Sequence, residues 1–164
     1  MMLAEAPQLF IALEQSGLGR AIRQSIWAYP TANVGHILGL ALFAGGVAAM
    51  DARLLGAFPA APPASVVLPA RRVAAAGLLA MLATGSVLFT AEASHVVMNP
   101  VFQIKAVLIT LGVLNALLVA RTLDRALDGA PAFAPLPLRV RLTALLSLLI
   151  WVSVAACGRL IAYF

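Results

Sequence analysis

The chain has two histidines, His36 in YPTANVGHILG and His95 in AEASHVVMNP, and each adjoins a long apolar run. The eleven residues after His36, Ile37 to Val47, offer no polar side chain. An imidazole at membrane depth is costly unless it is paired or put to use, so its partner must come from another segment. His36 lies seven residues past Tyr29, about 10 Å along a helix at roughly 1.5 Å per residue. His95 closes the second apolar run, and an antiparallel neighbour brings that end back to the level of His36. Two neutral imidazoles facing each other across two helices form the axial ligand set of a six-coordinate b-type haem. Gly35 and Gly39 flank His36 as G-x-x-x-G, and Gly77 and Gly85 lie on the second run, so backbone can approach either a helix or a flat ring there. Lys105, Arg20, Arg23 and Arg159 fall at the same level and could meet propionates. Each feature also has a plainer reading. His36 could simply be hydrogen-bonded to Asn33, Thr90 or Ser94, and the glycines could serve helix packing alone.

Other side chains widen the choice. His95-x-x-Met98 places an imidazole and a thioether at i, i+3, a soft pair suited to copper, while Met50 and Met81 lie too far along the chain to extend it into a ladder. Glu92 falls three residues before His95 and could orient it, or pair with Lys105. Asn115, deep in the third run, is expected to cross-link helices through its amide. Asp51 and Arg53, with Arg71 and Arg72, suggest an ion-pair clamp at the opposite end. The single Cys157 excludes an intrachain disulfide. No Gly-rich phosphate loop or nucleophile, base and acid set is visible, so an enzyme built on this chain would be an oxidoreductase or a redox-complex subunit.

The elements that must hold these residues follow from composition. Of 164 residues 63% are hydrophobic and 10% charged, with a mean hydropathy of +1.01. Such a chain belongs in a bilayer. A hydrocarbon core of roughly 30 Å takes about 20 helical residues, and four runs qualify, near 29–52, 70–96, 100–124 and 139–162. The expected fold is all-α, an integral membrane four-helix bundle over 27–164 preceded by an amphipathic interfacial segment over 1–26. In that segment Leu9, Leu13, Leu18, Ile22 and Ile26 alternate with Glu14, Gln15, Arg20, Arg23 and Gln24, broken at Gly17 and Gly19, which reads as one or two helices on the membrane surface. MMLAEAPQLF has no basic start and no small-residue cleavage site, so the first span is expected to act as its own targeting signal. Pro30 suits the first turn of span 1, Asn99-Pro100 supplies a cap and first residue for span 3, and GAFPAAPPAS and GAPAFAPLP should be non-helical loops.

Seven arginines, Arg53, Arg71, Arg72, Arg121, Arg125, Arg139 and Arg141, gather at one end of this arrangement. By the positive-inside rule that end is cytoplasmic, so both termini and His36 are expected on the periplasmic side of a bacterial inner membrane. Topology therefore accounts for the net charge of +5, and no nucleic-acid partner is expected.

Several elements together resemble a known pattern. SIWAYPTANVGHILGLALFAGG, MDARLLG and NPVFQIKAVLITLGVLNALL look like an uncharacterised family of small four-helix bacterial inner-membrane proteins that carries only a domain-of-unknown-function label. More distantly, a histidine early in span 1 and an F-x-x-K element opening a later span are similar to the four-helix haem-binding protoporphyrinogen oxidase family and to the membrane part of copper-resistance D proteins. That resemblance draws attention to His36 and Lys105.

Three functions are compatible with these observations. The first is a membrane b-type cytochrome with His36 and His95 as axial ligands, exchanging electrons with a quinone, a periplasmic redox partner or a larger membrane complex. The others are a copper-binding or copper-transport protein, and a structural subunit without cofactor.

Overall fold

The computed structural model describes residues 6–133 and 135–163, and among these the chain is all-helical. Two short helices, α1 (Gln8–Glu14) and α2 (Gly17–Gln24), precede the long α3 (Ala28–Leu55) and α4 (Pro63–Ala91). A third short helix, α5 (Ala93–Met98), separates α4 from α6 (Pro100–Leu127), and α7 (Leu138–Leu160) closes the chain. The four long helices are each long and apolar enough to cross a membrane. Their outward faces carry large apolar side chains, such as Leu118 at 79% exposure and Val152 at 67%, as expected where hydrocarbon replaces water. The first five residues of the amphipathic segment lie outside the described residues.

Helix boundaries follow local chemistry. Asn99 caps α6 as expected, its Oδ1 accepting from the N–H groups of Val101 (2.9 Å) and Phe102 (3.3 Å). Gly56 ends α3 with φ of +115°, a left-handed conformation that costs glycine little. Two boundaries differ from the sequence expectation. Helix α4 starts at Pro63, inside the stretch expected to be loop, because Pro62 supplies the cap and Pro63 the first residue, where a missing N–H leaves nothing unsatisfied. The run expected to continue to residue 96 stops at Ala91. Glu92, with φ of −137° and ψ of 31°, breaks the helix, and the chain restarts as α5.

The bundle is asymmetric. The most extensive packing is α3 on α4, followed by α6 on α7 and α3 on α7, while α4 and α6 hardly touch. Glycine makes the first contact close. A Cβ added to Gly77 would lie 2.8 Å from the Gly39 carbonyl oxygen, and one on Gly46 would lie 2.7 Å from the Ala74 nitrogen. At the end carrying the long loops, called here the loop end, Leu54, Val67, Leu123, Leu127, Leu136, Val140 and Ala144 form a core from all four long helices and the α6–α7 loop. Arg71 and Asp124 join α4 to α6 there by a 2.7 Å ion pair. The clamp expected between Asp51 and the arginines is not formed: Asp51 is buried beside Ser147, and Arg71 takes Asp124 instead. Asn115 does cross-link helices, donating to the Thr143 carbonyl at 3.2 Å.

The glycine contact generates a paired prediction. Gly77→Leu should force α3 and α4 apart and destabilise the detergent-solubilised protein by about 1–3 kcal/mol or more, the usual cost of overpacking. Gly45 has nothing within 4 Å of an added Cβ, so Gly45→Ala should be neutral or stabilise by up to about 1 kcal/mol. Thermal unfolding followed by circular dichroism reads both; equal midpoints for the two variants would contradict the packing account.

Candidate functional site at the lid end

At the end opposite the long loops, the space left between α4 and α6 forms a cavity of about 430 Å³. His36 of α3, Lys105 of α6 and Trp151 of α7 reach it, with Met81 and Gly85 of α4 on a further wall. Its walls are mostly apolar, and two aromatic rings stand across the gap: Phe89 of α4 stacks on Phe102 of α6 with centroids 5.6 Å apart and planes 17° from parallel. Phe10 of α1 meets Phe89 edge-on at 5.9 Å, and Leu13 of α1 adds an apolar contact. Helices α1, α2 and α5 thus form a lid.

His36 is held in one orientation. Its Nδ1 lies 3.0 Å from Thr84 Oγ1, and that hydroxyl donates its only proton to the Ala80 carbonyl at 2.7 Å. With that hydroxyl turned to Ala80, its oxygen accepts from Nδ1–H, and this tautomer of the ring carries its lone pair on Nε2. Gly85 gives the imidazole its room, since a Cβ there would approach Cε1 to 3.1 Å. A hydrogen bond to one ring nitrogen that orients the other is the arrangement found behind metal-ligating histidines. None of the partners expected from sequence supplies it. A threonine alone in an apolar run carries little signal, but the i, i+48 match to His36 across antiparallel helices could have been found by aligning depths.

The sequence-selected residues divide. His36 and Lys105 share the cavity. His95 does not: it is exposed on α5 and lines a separate open pocket with Ser94, Met98 and Ile11. The break at Glu92 turns it away from the end of α4. Gly35 and Gly39 serve helix contact, facing Thr84 and the Met81–Gly77 stretch of α4. Arg23 donates to the Ala91 carbonyl at 2.7 Å, satisfying one of the carbonyls left unpaired at the end of α4. Arg20 donates to the Gln15 carbonyl at 2.6 Å, and Arg159 holds the Tyr163 hydroxyl at 2.6 Å while lying over its ring. These three arginines engage the lid and the C-terminal turn, not the cavity. Glu92 accepts from the Tyr29 hydroxyl at 3.3 Å. No group of three or more His, Cys, Asp or Glu side chains converges among the described residues.

The fold and this cavity define a class: a multi-pass membrane protein of four apolar helices with a lidded, largely apolar site at one end. The chain belongs to a family of unknown function (DUF6644), whose model matches residues 12–164. No curated protein and no solved structure matches it.

The lid is latched through Glu14. Its carboxylate accepts from the Ser94 backbone N–H at 2.8 Å and from the Ser94 hydroxyl, and Arg23 lies 3.8 Å away. The two Ser94 bonds, opposed by burial and assisted by Arg23 and His95, hold the Glu14 carboxyl below its ordinary value. A carboxyl lowered in the folded state contributes stability that is complete above its unfolded value and lost as pH falls through its folded one. Acidification should therefore release α1 from α5 before the bundle unfolds. Protection of α1 amides against hydrogen exchange, taken relative to the intrinsic rate at each pH, should fall in acid in the native protein, and Glu14→Gln should show that lowered protection already at neutral pH. Protection in α1 that is independent of both would contradict the latch.

Proposed function

We propose that this protein is a membrane redox protein that holds b-type haem in the lid-end cavity through Nε2 of His36. One observation carries this reading: the Thr84 hydroxyl, directed to the Ala80 carbonyl, accepts from Nδ1–H in the tautomer that turns the Nε2 lone pair to an apolar cavity walled by aromatic rings. The residues fit such a group. An imidazole of defined tautomer supplies an axial ligand, Gly85 leaves clearance, the Phe89, Phe102 and Trp151 rings suit a flat apolar macrocycle, and the Lys105 ammonium offers a counter-charge for a propionate. When bound, haem supplies one-electron chemistry at its iron. The protein's part is to orient the imidazole, to exclude water with the α1 lid, and to place the site at one membrane face, within reach of a quinone in the bilayer or a redox partner outside it. In this arrangement His36 would hold the group from within the cavity, while His95, exposed on α5, lines a different pocket. The copper alternative has His95 and Met98 together in the open pocket between α1 and α5, a pair that needs further donors to complete a site.

Absorption spectra of the purified protein after haem loading, oxidised and reduced, test this directly. A Soret band with reduced α and β bands is expected; His36→Ala should abolish it, and Thr84→Val should weaken haem retention by about 10–100-fold, the usual effect of removing a partner behind the ligand. His95→Ala should leave the spectrum intact, and Lys105→Met should lower retention without removing the axial bond. A chain that takes up no haem, or a His36→Ala variant that keeps an unchanged spectrum, would sink the proposal.

The arrangement of arginines at the loop end supports a bacterial inner-membrane location with that end cytoplasmic and both termini periplasmic. A reporter inserted at Pro62 should then behave as cytoplasmic and one fused after Phe164 as periplasmic. The reverse pattern would move the cavity to the cytoplasmic face and exclude a periplasmic redox partner.

A further inference from the structure

The loop end holds a second cavity, of about 230 Å³, where Arg53 at the end of α3 and Arg141 in the first turns of α7 meet the two long loops. Its volume is below the roughly 300–1,000 Å³ of sites for drug-sized molecules, so it suits a compact group. Arg53 is 2% exposed. One terminal nitrogen of its guanidinium donates to the Ala61 carbonyl at 2.8 Å, while its Nε is buried without a hydrogen-bond partner among the described residues. Among the described residues no carboxylate lines the cavity. Asp51, two residues away, is turned to Ser147 of α7 and forms no ion pair with Arg53. A buried guanidinium with a free donor and no counter-ion is an expensive arrangement, and an anion is what would offset it.

The surroundings place this site near the membrane surface. Phe133 lines the cavity and Phe58 stands on the neighbouring loop, both strongly exposed, at 71% and 62%. The two loops are tied by the Phe133 N–H donating to the Pro59 carbonyl at 2.8 Å. An apolar ring exposed at the end of a membrane span is better placed at the boundary of headgroups and acyl chains than in water. We infer that Arg53 and Arg141 form a binding site for a phosphate group, the guanidinium donors engaging its oxygens. That phosphate comes either from an anionic phospholipid headgroup or from a soluble phosphate, and the arginine chemistry is the same for both.

Native mass spectrometry and thermal unfolding of the full-length protein test the site with two probes. Inorganic phosphate is titrated in detergent, and the protein is separately reconstituted in bilayers of phosphatidylglycerol or of phosphatidylcholine. Retention of phosphatidylglycerol over phosphatidylcholine without a response to inorganic phosphate identifies a lipid headgroup; a response to inorganic phosphate in detergent identifies a soluble ligand. Either response should fall about 10-fold in Arg141→Gln, the loss of one charge-assisted contact. Arg141 is exposed, so this change should leave the fold intact even if Arg53→Gln does not. Arg72→Gln alters an exposed arginine at the same end outside the cavity and should bind as the unaltered protein does. No response to either probe, or equal losses in Arg141→Gln and Arg72→Gln, would overturn the assignment and leave only a diffuse basic surface.

Discussion

The close approach of α3 and α4 sets the rest of the molecule. Between lipid-embedded helices there is no gain from hiding apolar surface from water, so association depends on how closely two backbones can pack. Gly46 and Gly77 let these two helices touch where any side chain would collide, and Gly39 where one would be crowded. Helix α4 packs on α3 and makes little backbone contact with α6, so the ring of helices runs α4, α3, α7, α6 with one open side. The lid-end cavity is that open side. Trp151 bridges part of it from α7: its ring lies against Gly112 of α6, where a Cβ would fall 2.6 Å from Cζ2, and meets Phe43 of α3 edge-on at 4.5 Å.

The two ends of the bundle resolve the gap differently. At the loop end, side chains from all four long helices fill it, and the Arg71–Asp124 pair spans α4 and α6. That pair is substantially exposed and adds little by itself, so the apolar packing beside it closes this end. At the lid end no comparable core forms. Three short helices cover the opening through aromatic contacts and the Glu14–Ser94 latch. A cover held by a few polar bonds can open at lower free energy than a packed core. Stability therefore concentrates at one end, and access to the site at the other.

How much of this could be read from the sequence depended on whether a feature was local or relational. The four spans, the Asn99 cap and the Asn115 cross-link depend on composition or on a single side chain and its nearest turn, and they stand where expected. The amphipathic segment resolves into two short helices with Ser16 capping the second. The break at Glu92 was hidden because the apolar run continues through it. It is supported by distant groups, with Arg23 on the Ala91 carbonyl and Glu14 on Ser94, which no periodicity records. That one break separates His95 from His36, so the pairing of the two histidines could not be read from their matching depths. The start of α4 at Pro63 was masked by proline's double use, as helix breaker in the interior and as helix opener at the first position.

The Thr84 contact bears most directly on function because packing alone does not require it. An apolar residue at position 36 would complete the helix surface without the desolvation that an imidazole brings. Here the ring is oriented by the Thr84 hydroxyl, which is itself turned to the Ala80 carbonyl, and the oriented ring lines the cavity. Gly85 adds to the argument: a helix-packing glycine would meet backbone, as Gly77 does, but this one meets the edge of the imidazole. Ring orientation and clearance are thus set by two residues of the neighbouring helix, and the same helix, held against α3 by glycine contacts, forms the wall of the cavity into which His36 points. The geometry that keeps α4 away from α6 is therefore also the geometry that prepares the imidazole for a ligand.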